Sequence, residues 1–538
     1  MIATHDPKNR AVWRAMGLHG GVTIAQQIAR AARDVPDLTL HFTSRSAERS
    51  IDVAFIARGM ERYAKALMEL GLQPGDALAV QAPYSIENML LFAAAMRLGL
   101  RYVPIVGIYE ASEIDFILTQ TLAKAIAVPE TWRTTDIAAR LRRLRAPSLR
   151  HVLVLEGAPG DRDYGHPAHR FSELYGNGQL PPEGDPNDPA VILYTSGSTG
   201  VAKGALHSHE TSMAVLRAAE QFISQTGRTP LLSPLPTGHI AGIMAMLQPF
   251  VHHIPVIYME QWDADDAARL ISRHGIGWLY STPFHLLSLF ERMDRRRLPT
   301  LRFCQVGGAG VPSTLIERAD ALGIAVCRGY GCTEHPTMTA CIPEDPLEKR
   351  IATDGRASSG VLLKLVDDAG SEVSDGTPGE IVATGPGQFL GYLDDKLNAA
   401  AFDTDGCFRT GDVGVRDDDG FIAIVDRKKD IIIRAGENIA SKEVEDVLMR
   451  HPAINEAAVI GLPDPTYGER VAAILILREG SMDIHEIRRH FRAAGVAVQK
   501  TPEQLIIVDE LPRTALGKVN KLELRRSMAA AASTYSID

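Results

Sequence analysis

The chain has 538 residues, 45% hydrophobic and 23% charged, with five cysteines and a formal net charge of −9. This is the composition of a globular protein of several folding units, long enough to bury a large core without disulfides or structural metals. The acidic balance argues against nucleic acid as a partner, because neutralising phosphates needs an excess of lysine and arginine. Five cysteines with no CxxC pair point to a reducing compartment, the cytoplasm, rather than to a zinc ribbon or disulfide framework.

The opening MIATHDPKNR lacks the apolar core of a signal peptide. Residues 55–70 place Ile56, Met60, Tyr63, Ala64 and Leu67 on one helical face. Gly71 ends that helix, Pro74-Gly75-Asp76 turns the chain, and residues 77–81 read as a short buried strand. A second helix is predicted over 87–98 and a strand over 101–108, a rhythm that indicates parallel α/β units. The apolar run 89–96 is far shorter than the ~20 residues of a membrane span, so no transmembrane segment is expected.

A loop rich in Gly, Pro and Asp over 176–189 leads to a strand over 190–194. The strand–helix–strand rhythm returns over 255–281 and 301–331. From 360 to 425 the pattern changes to short strands with turn signals, a small β unit. The charged run Asp426-Arg-Lys-Lys-Asp430 follows, and beyond it lie predicted helices over 441–450 and 484–494 with strands over 457–460 and 471–477. A domain boundary is placed at Lys429, giving 1–428 and 429–538.

The strongest local signal is Thr195-Ser-Gly-Ser-Thr-Gly-Val-Ala-Lys-Gly204. Glycines let backbone N–H groups approach a polyphosphate, hydroxyls donate to its oxygens, and Lys203 adds a point charge. No Gly-Lys-Ser/Thr occurs, so this is not a Walker A loop; alone it equally describes a flexible surface loop. In Gly329-Tyr-Gly-Cys-Thr333-Glu334 a carboxylate beside such a loop suits a phosphate only with a divalent cation between them. Asp412, in Arg409-Thr-Gly-Asp412, can accept two hydrogen bonds from a vicinal diol, although Asp after Gly is also common in turns. Gly307-Gly-Ala-Gly310 offers small residues against which a planar base could lie. His239 follows Leu235-Pro-Thr-Gly, and Lys518 follows the polar loop Pro512-Arg-Thr-Ala-Leu-Gly517. A lysine at a loop tip is by itself an ordinary surface residue.

Taken together and in this order, from about Val53 to Arg525, these segments resemble the acyl-adenylate-forming superfamily, which includes acyl-CoA synthetases, adenylation domains of peptide synthetases and luciferases. The resemblance implies an α/β fold: a large N-terminal domain of α/β-layered subdomains plus a small β unit, hinged to a small α+β C-terminal domain. It implies ATP, magnesium and coenzyme A as cofactors, and a ligase that makes an acyl-adenylate and then a thioester. It assigns catalysis to Lys518, Glu334 and His239, with Glu334 also the magnesium ligand. It assigns nucleotide and cofactor contacts to Thr195, Ser196, Gly197, Ser198, Thr199, Gly200, Lys203, Gly308, Ala309, Gly310, Arg328, Gly329, Tyr330, Gly331, Thr333, Asp412 and Arg427, the pivot to Lys429 and the thiol tunnel to Gly436. The implied acid pocket comprises His239, Ala241, Gly242, Gly307, Gly331, His335 and Met338, whose small side chains suggest room for an apolar body; Gly436-Glu-Asn-Ile439 resembles fatty-acid and alicyclic-acid CoA ligases more than acetate ligases, so a medium-chain, cyclic or aromatic acid is expected.

Two departures stand out. Arg328 replaces a common Gln, and His335-Pro336 follow Glu334 where small residues are commoner. Three other readings stay open: loading of a separate carrier protein, a luciferase-like oxidation of the adenylate, and an inactive scaffold. Against the last stands the joint presence of Thr199, Lys203, Glu334, Asp412, Arg427 and Lys518. The partner expected is a small-molecule carboxylic acid, and a homodimer is left open.

Overall fold

The computed structural model describes residues 7–44, 47–132, 135–195, 202–220, 223, 227–292, 298–308, 310–434, 437–464, 466–494, 496–513 and 518–534. They form two compact units. The first is built from residues up to Leu362 together with Ala383–Phe408; the second comprises Leu363–Val382 and Arg409 onward. The small β unit therefore clusters with the C-terminal part of the chain.

The first unit holds two large sheets. One has eight strands in the spatial order Gly391–Tyr392, Lys203–Ser208, Pro189–Thr195, Arg101–Pro104, Ala77–Val80, Ala125–Val128, His151–Val154 and Ala168–Arg170. Its centre is parallel, with Ala77–Val80 flanked by parallel neighbours on both sides. These strands read as unbroken apolar runs because both faces are covered. Ala77 to Val80 and Ala125 to Val128 are all buried. The second sheet has nine strands, and its parallel core includes Leu231–Ser233, Trp278–Ser281, Phe303–Val306 and Ala325–Tyr330.

Helices cover the sheets by the expected periodicity. Val53–Glu69 begins at Asp52, whose carboxylate accepts from the Phe55 N–H at 2.6 Å, and it buries Ile56, Met60, Tyr63, Ala64 and Leu67 as predicted. Ile86–Leu98 is apolar on nearly every side, buries almost every residue and stops at Gly99 in the left-handed conformation. The run read as too short for a membrane is thus a core helix, and no helix among the described residues is long and apolar enough to cross a bilayer. The expected strand 101–108 ends at Pro104.

The second unit contains the small sheet, in the order Leu362–Val366, Gly379–Thr384, Phe408–Arg416 and Ile422–Arg427, and a five-stranded sheet dominated by the long antiparallel pair Ile454–Asp464 and Gly468–Leu477. Helices Ser441–Leu448, Ile484–Ala493 and Lys521–Thr534 accompany it.

The core of the first unit holds five buried imidazoles, His207, His209, His252, His285 and His335, each pulled down to a pKa of about 4 chiefly by burial. Unfolding would return each to about 6.5. Between these values the unfolded chain binds more protons than the folded one, so stability rises with pH there. Acidification from about 7 to about 4.5 should therefore lower the melting temperature of this unit progressively, with little effect from this source above about 7. Scanning calorimetry across that range checks it; a melting temperature independent of pH below 6.5 would contradict the assignment.

Candidate active site

The strands Pro189–Thr195 and Lys203–Ser208 pair antiparallel, with Thr195 opposite Lys203 and Tyr194 opposite Gly204. Ala190 to Leu193 and Ala205 to Leu206 are buried, which anchors both strands in the sheet. The glycine- and hydroxyl-rich run is therefore the connection of a hairpin whose two ends are fixed. Ser196, Gly197, Ser198, Thr199 and Gly200 lie outside the described residues, as do Ala309 and Gly436.

Lys203 begins the second strand, and its ammonium stands 5.3 Å from the centre of the Tyr392 ring. Tyr392 belongs to the short strand Gly391–Tyr392, which pairs antiparallel with the same hairpin, Tyr392 opposite Ala205. Its hydroxyl donates to Glu334 Oε1 at 2.7 Å. Glu334 is only 8% exposed, and its carbonyl accepts from the Phe389 N–H at 2.8 Å. The preceding carbonyl, of Thr333, lies 2.8 Å from Nε2 of His207. A carbonyl only accepts, so this nitrogen carries the proton, and Nδ1 accepts from the Thr211 hydroxyl at 3.2 Å. Lys203, Thr333 and Glu334, singled out from sequence, thus meet through Tyr392 and His207, which sequence reasoning missed.

The site suits magnesium. Glu334 is a buried carboxylate with one oxygen held by a phenol, and no described residue donates to the other. One carboxylate plus phosphate oxygens is a common magnesium environment.

The small residues Gly307 and Gly331 sit where two parallel strands end. Gly307 follows Phe303–Val306, and a Cβ there would lie 3.1 Å from the Gly329 carbonyl oxygen. Gly308 has φ +81°, a conformation that favours glycine. Tyr330 is half-buried and pairs opposite Thr339. A side chain at Gly331 would collide with the Thr337 amide at 2.3 Å. Gly310 is exposed. Arg328 takes a different course: its Nε donates to Asp354 Oδ1 at 3.0 Å and its Nη1 to the Ile351 carbonyl at 2.8 Å, all buried or nearly so. Its guanidinium is committed to an ion pair inside the protein.

On the acid side, His239 is the N-cap of the helix Ile240–His252 and is half-buried, like Ala241. Gly242 has no clearance, since a Cβ would lie 2.1 Å from the Pro236 carbonyl oxygen; at Gly238 it would lie 2.7 Å from Val106 Cα. The Tyr84 hydroxyl donates to the Gly242 carbonyl at 3.3 Å. His335 and Met338 are core residues, 1% and 0% exposed. The His335 ring packs on Gly385, where a Cβ would lie 2.8 Å from Nε2, and no described group bonds either ring nitrogen.

In the second unit, Asp412 pairs opposite Arg427, with Oδ1 3.2 Å from Nε, and its amide donates to the Thr410 hydroxyl at 3.0 Å. Lys429 is held below the usual lysine range by burial and by Arg427. Asp430 accepts from Arg525 Nη1 at 2.8 Å. Lys518 is exposed and stands next to Val519, which bridges to Arg513 across the intervening loop.

Comparison with known proteins shows the family and the fold. Residues 29–393 match the family described as AMP-binding enzyme, and residues 443–518 match the AMP-binding enzyme C-terminal domain. The chain is 30% identical over 536 residues to a medium-chain fatty-acid–CoA ligase of Escherichia coli (strain K12), covering 98% of this chain and 94% of the relative. It is 34% identical over 522 residues to a 3-[(3aS,4S,7aS)-7a-methyl-1,5-dioxo-octahydro-1H-inden-4-yl]propanoyl:CoA ligase of Mycobacterium tuberculosis, covering 94% and 98%. Among solved structures, ATP-bound MatB from Rhodopseudomonas palustris superposes with a TM-score of 0.82 at 26% identity, covering 94% of this chain and 99% of that one.

Replacing Arg328 with Ala would strand the Asp354 carboxylate without its guanidinium. The expected loss of stability is about 3–5 kcal/mol, as for other broken buried pairs. Denaturant unfolding of the variant beside the wild type measures it; a loss under about 1 kcal/mol would place the pair in the weak surface class.

Proposed function

The chain belongs to the AMP-binding enzyme family and is an AMP-forming acid–thiol ligase, and we propose that it joins a medium-chain, cyclic or aromatic carboxylic acid to coenzyme A through an acyl-adenylate. The observation that carries this reading is the meeting of Lys203, Tyr392 and Glu334 at the end of the hairpin Pro189–Ser208. A cation and an anion held together beside glycine- and hydroxyl-rich backbone suit a triphosphate and its magnesium. The names of the two relatives support an acid with an apolar body. Five free cysteines, four of them buried, accord with a cytoplasmic setting.

The chemistry assigns the residues as follows. Glu334 would hold the magnesium, which when bound screens phosphate charge against the incoming carboxylate. Lys203 sets a positive charge against the phosphates, and Asp412 accepts from the ribose hydroxyls. In the first half-reaction an oxygen of the acid attacks the α-phosphorus, the bond to the bridging oxygen breaks, and pyrophosphate leaves. Lys518 supplies the ammonium that offsets the negative charge growing there. His239 adjusts between the half-reactions. In the second, a thiolate attacks the acyl carbon and AMP leaves.

Residues 1–428 then form the nucleotide-binding domain and 429–538 a mobile C-terminal domain turning at Lys429. The amide of Lys429, unlike those of Lys428 and Asp430, has no backbone acceptor among the described residues, and a turn there has to release only the Asp430 and Ile431 amides from the Arg427 carbonyl among the backbone bonds that span it.

Pyrophosphate release with a panel of acids, offered with coenzyme A or with a carrier protein, tests the proposal. AMP formation with coenzyme A and an acid of the stated class is expected. A requirement for the carrier protein would instead favour the loading enzyme. Lys518→Ala should lower adenylation by about 10²-fold or more while sparing thioester formation from supplied acyl-AMP; equal loss in both steps would refute its role. Lys429→Pro should slow the two half-reactions unequally, as followed by single-turnover kinetics, and unchanged rates in both would remove the hinge.

A further inference from the structure

We propose that Tyr392 is a positioning residue that couples the two charges of the nucleotide site: its hydroxyl aims Glu334 at the magnesium ion, and its ring face holds the Lys203 ammonium. This rests on the roles proposed above for Glu334 and Lys203.

The geometry is specific. The hydroxyl donates to Glu334 Oε1 at 2.7 Å, which restrains that oxygen and leaves Oε2 without a bond from the phenol. The same ring lies 5.3 Å from Lys203 Nζ, within cation–π range. One aromatic side chain therefore touches both an anion and a cation that must act on one polyphosphate. Lysine and glutamate have free torsions, and the tyrosine does not share their freedom. Tyr392 is 6% exposed, and its backbone pairs opposite Ala205. Asn398 grips it from both sides, accepting from the Tyr392 N–H at 2.7 Å and donating to its carbonyl at 3.2 Å. Phe389 packs edge-on at 4.9 Å between ring centres. The ring is thus anchored to the strand that carries Lys203, and the hydroxyl reaches across to the segment that carries Glu334. A buried hydroxyl paired with a carboxylate is also a charge-assisted hydrogen bond, stronger than a neutral one. Without it the carboxylate would reorient as a metal ligand, as ligands do when their outer partners are lost.

The test separates the hydroxyl from the ring. Mn²⁺ binding to the full chain with α,β-methylene-ATP is read by electron paramagnetic resonance. Tyr392→Phe should weaken Mn²⁺ binding by about tenfold, one hydrogen bond to a charged group, while the metal-free affinity for the nucleotide changes by less than about twofold. Tyr392→Leu should in addition weaken the metal-free nucleotide affinity, because Lys203 loses its platform. In steady-state assays of Tyr392→Phe, the magnesium needed for half-maximal pyrophosphate release should rise more than kcat at saturating magnesium falls. Wild-type Mn²⁺ affinity in Tyr392→Phe would overturn the proposal. If Glu334→Gln binds Mn²⁺ normally, the assignment of Glu334 fails and this inference with it, whereas loss in Glu334→Gln with none in Tyr392→Phe removes the inference alone. Should Tyr392→Phe melt early, 3-fluorotyrosine at 392 keeps the fold's contacts while its fluorine makes the phenol a stronger donor to Glu334; a changed Mn²⁺ affinity supports the proposal and an unchanged one overturns it.

Discussion

Taking a carboxylate out of water costs several kcal/mol unless donors or charges replace its hydration. Glu334 is placed in that position beside the hairpin that carries Lys203, one phenol meets its carboxylate, and neighbouring donors hold the backbone around it. Tyr392 donates to it, Phe389 N–H fixes its backbone, and His207 fixes the carbonyl before it. Each donor comes from an element docked on the eight-stranded sheet or on its hairpin. The sheet is continuous and buried because its parallel strands are apolar on both faces, so the polar groups are concentrated at the strand ends, where ligands of open α/β sheets bind.

The second unit shows the same economy with different residues. The Asp426 carboxylate accepts from the Ser441 amide and hydroxyl at the start of the helix Ser441–Leu448, where an anion also meets the positive end of the helix dipole. Lys521 donates to the same hydroxyl at 2.6 Å and pairs with Glu445 at 2.8 Å, and Arg525 pairs with Asp430. The helix Lys521–Thr534 is thereby tied to the charged run 426–430. That helix is hard to see in the sequence because its alanines give no apolar stripe; the bonds of Lys521 to Ser441 and Glu445 and of Arg525 to Asp430, residues far back in the chain, hold its start.

How much could be read beforehand follows from the range of the forces involved. The helix Val53–Glu69 was legible because its apolar face repeats within a few residues, and the phosphate hairpin because glycine and hydroxyl residues cluster locally. Arg328 was drawn toward the nucleotide by its neighbours in sequence, whereas its partner Asp354 is 26 positions on. Tyr392 carries no local signal; its partner is 58 positions back. His335 was expected beside the acid and instead packs on Gly385, a contact that depends on the fold of the first unit. Charge pairing over such distances is set by topology, and a single sequence does not display it.

Gly238 and Gly242 bracket His239 with main chain that already touches Val106 and Pro236. Not even a methyl group fits at either position, so the polypeptide path on both sides of His239 is a mould that admits hydrogen alone, whereas the half-buried His239 and Ala241 stand outside that restriction.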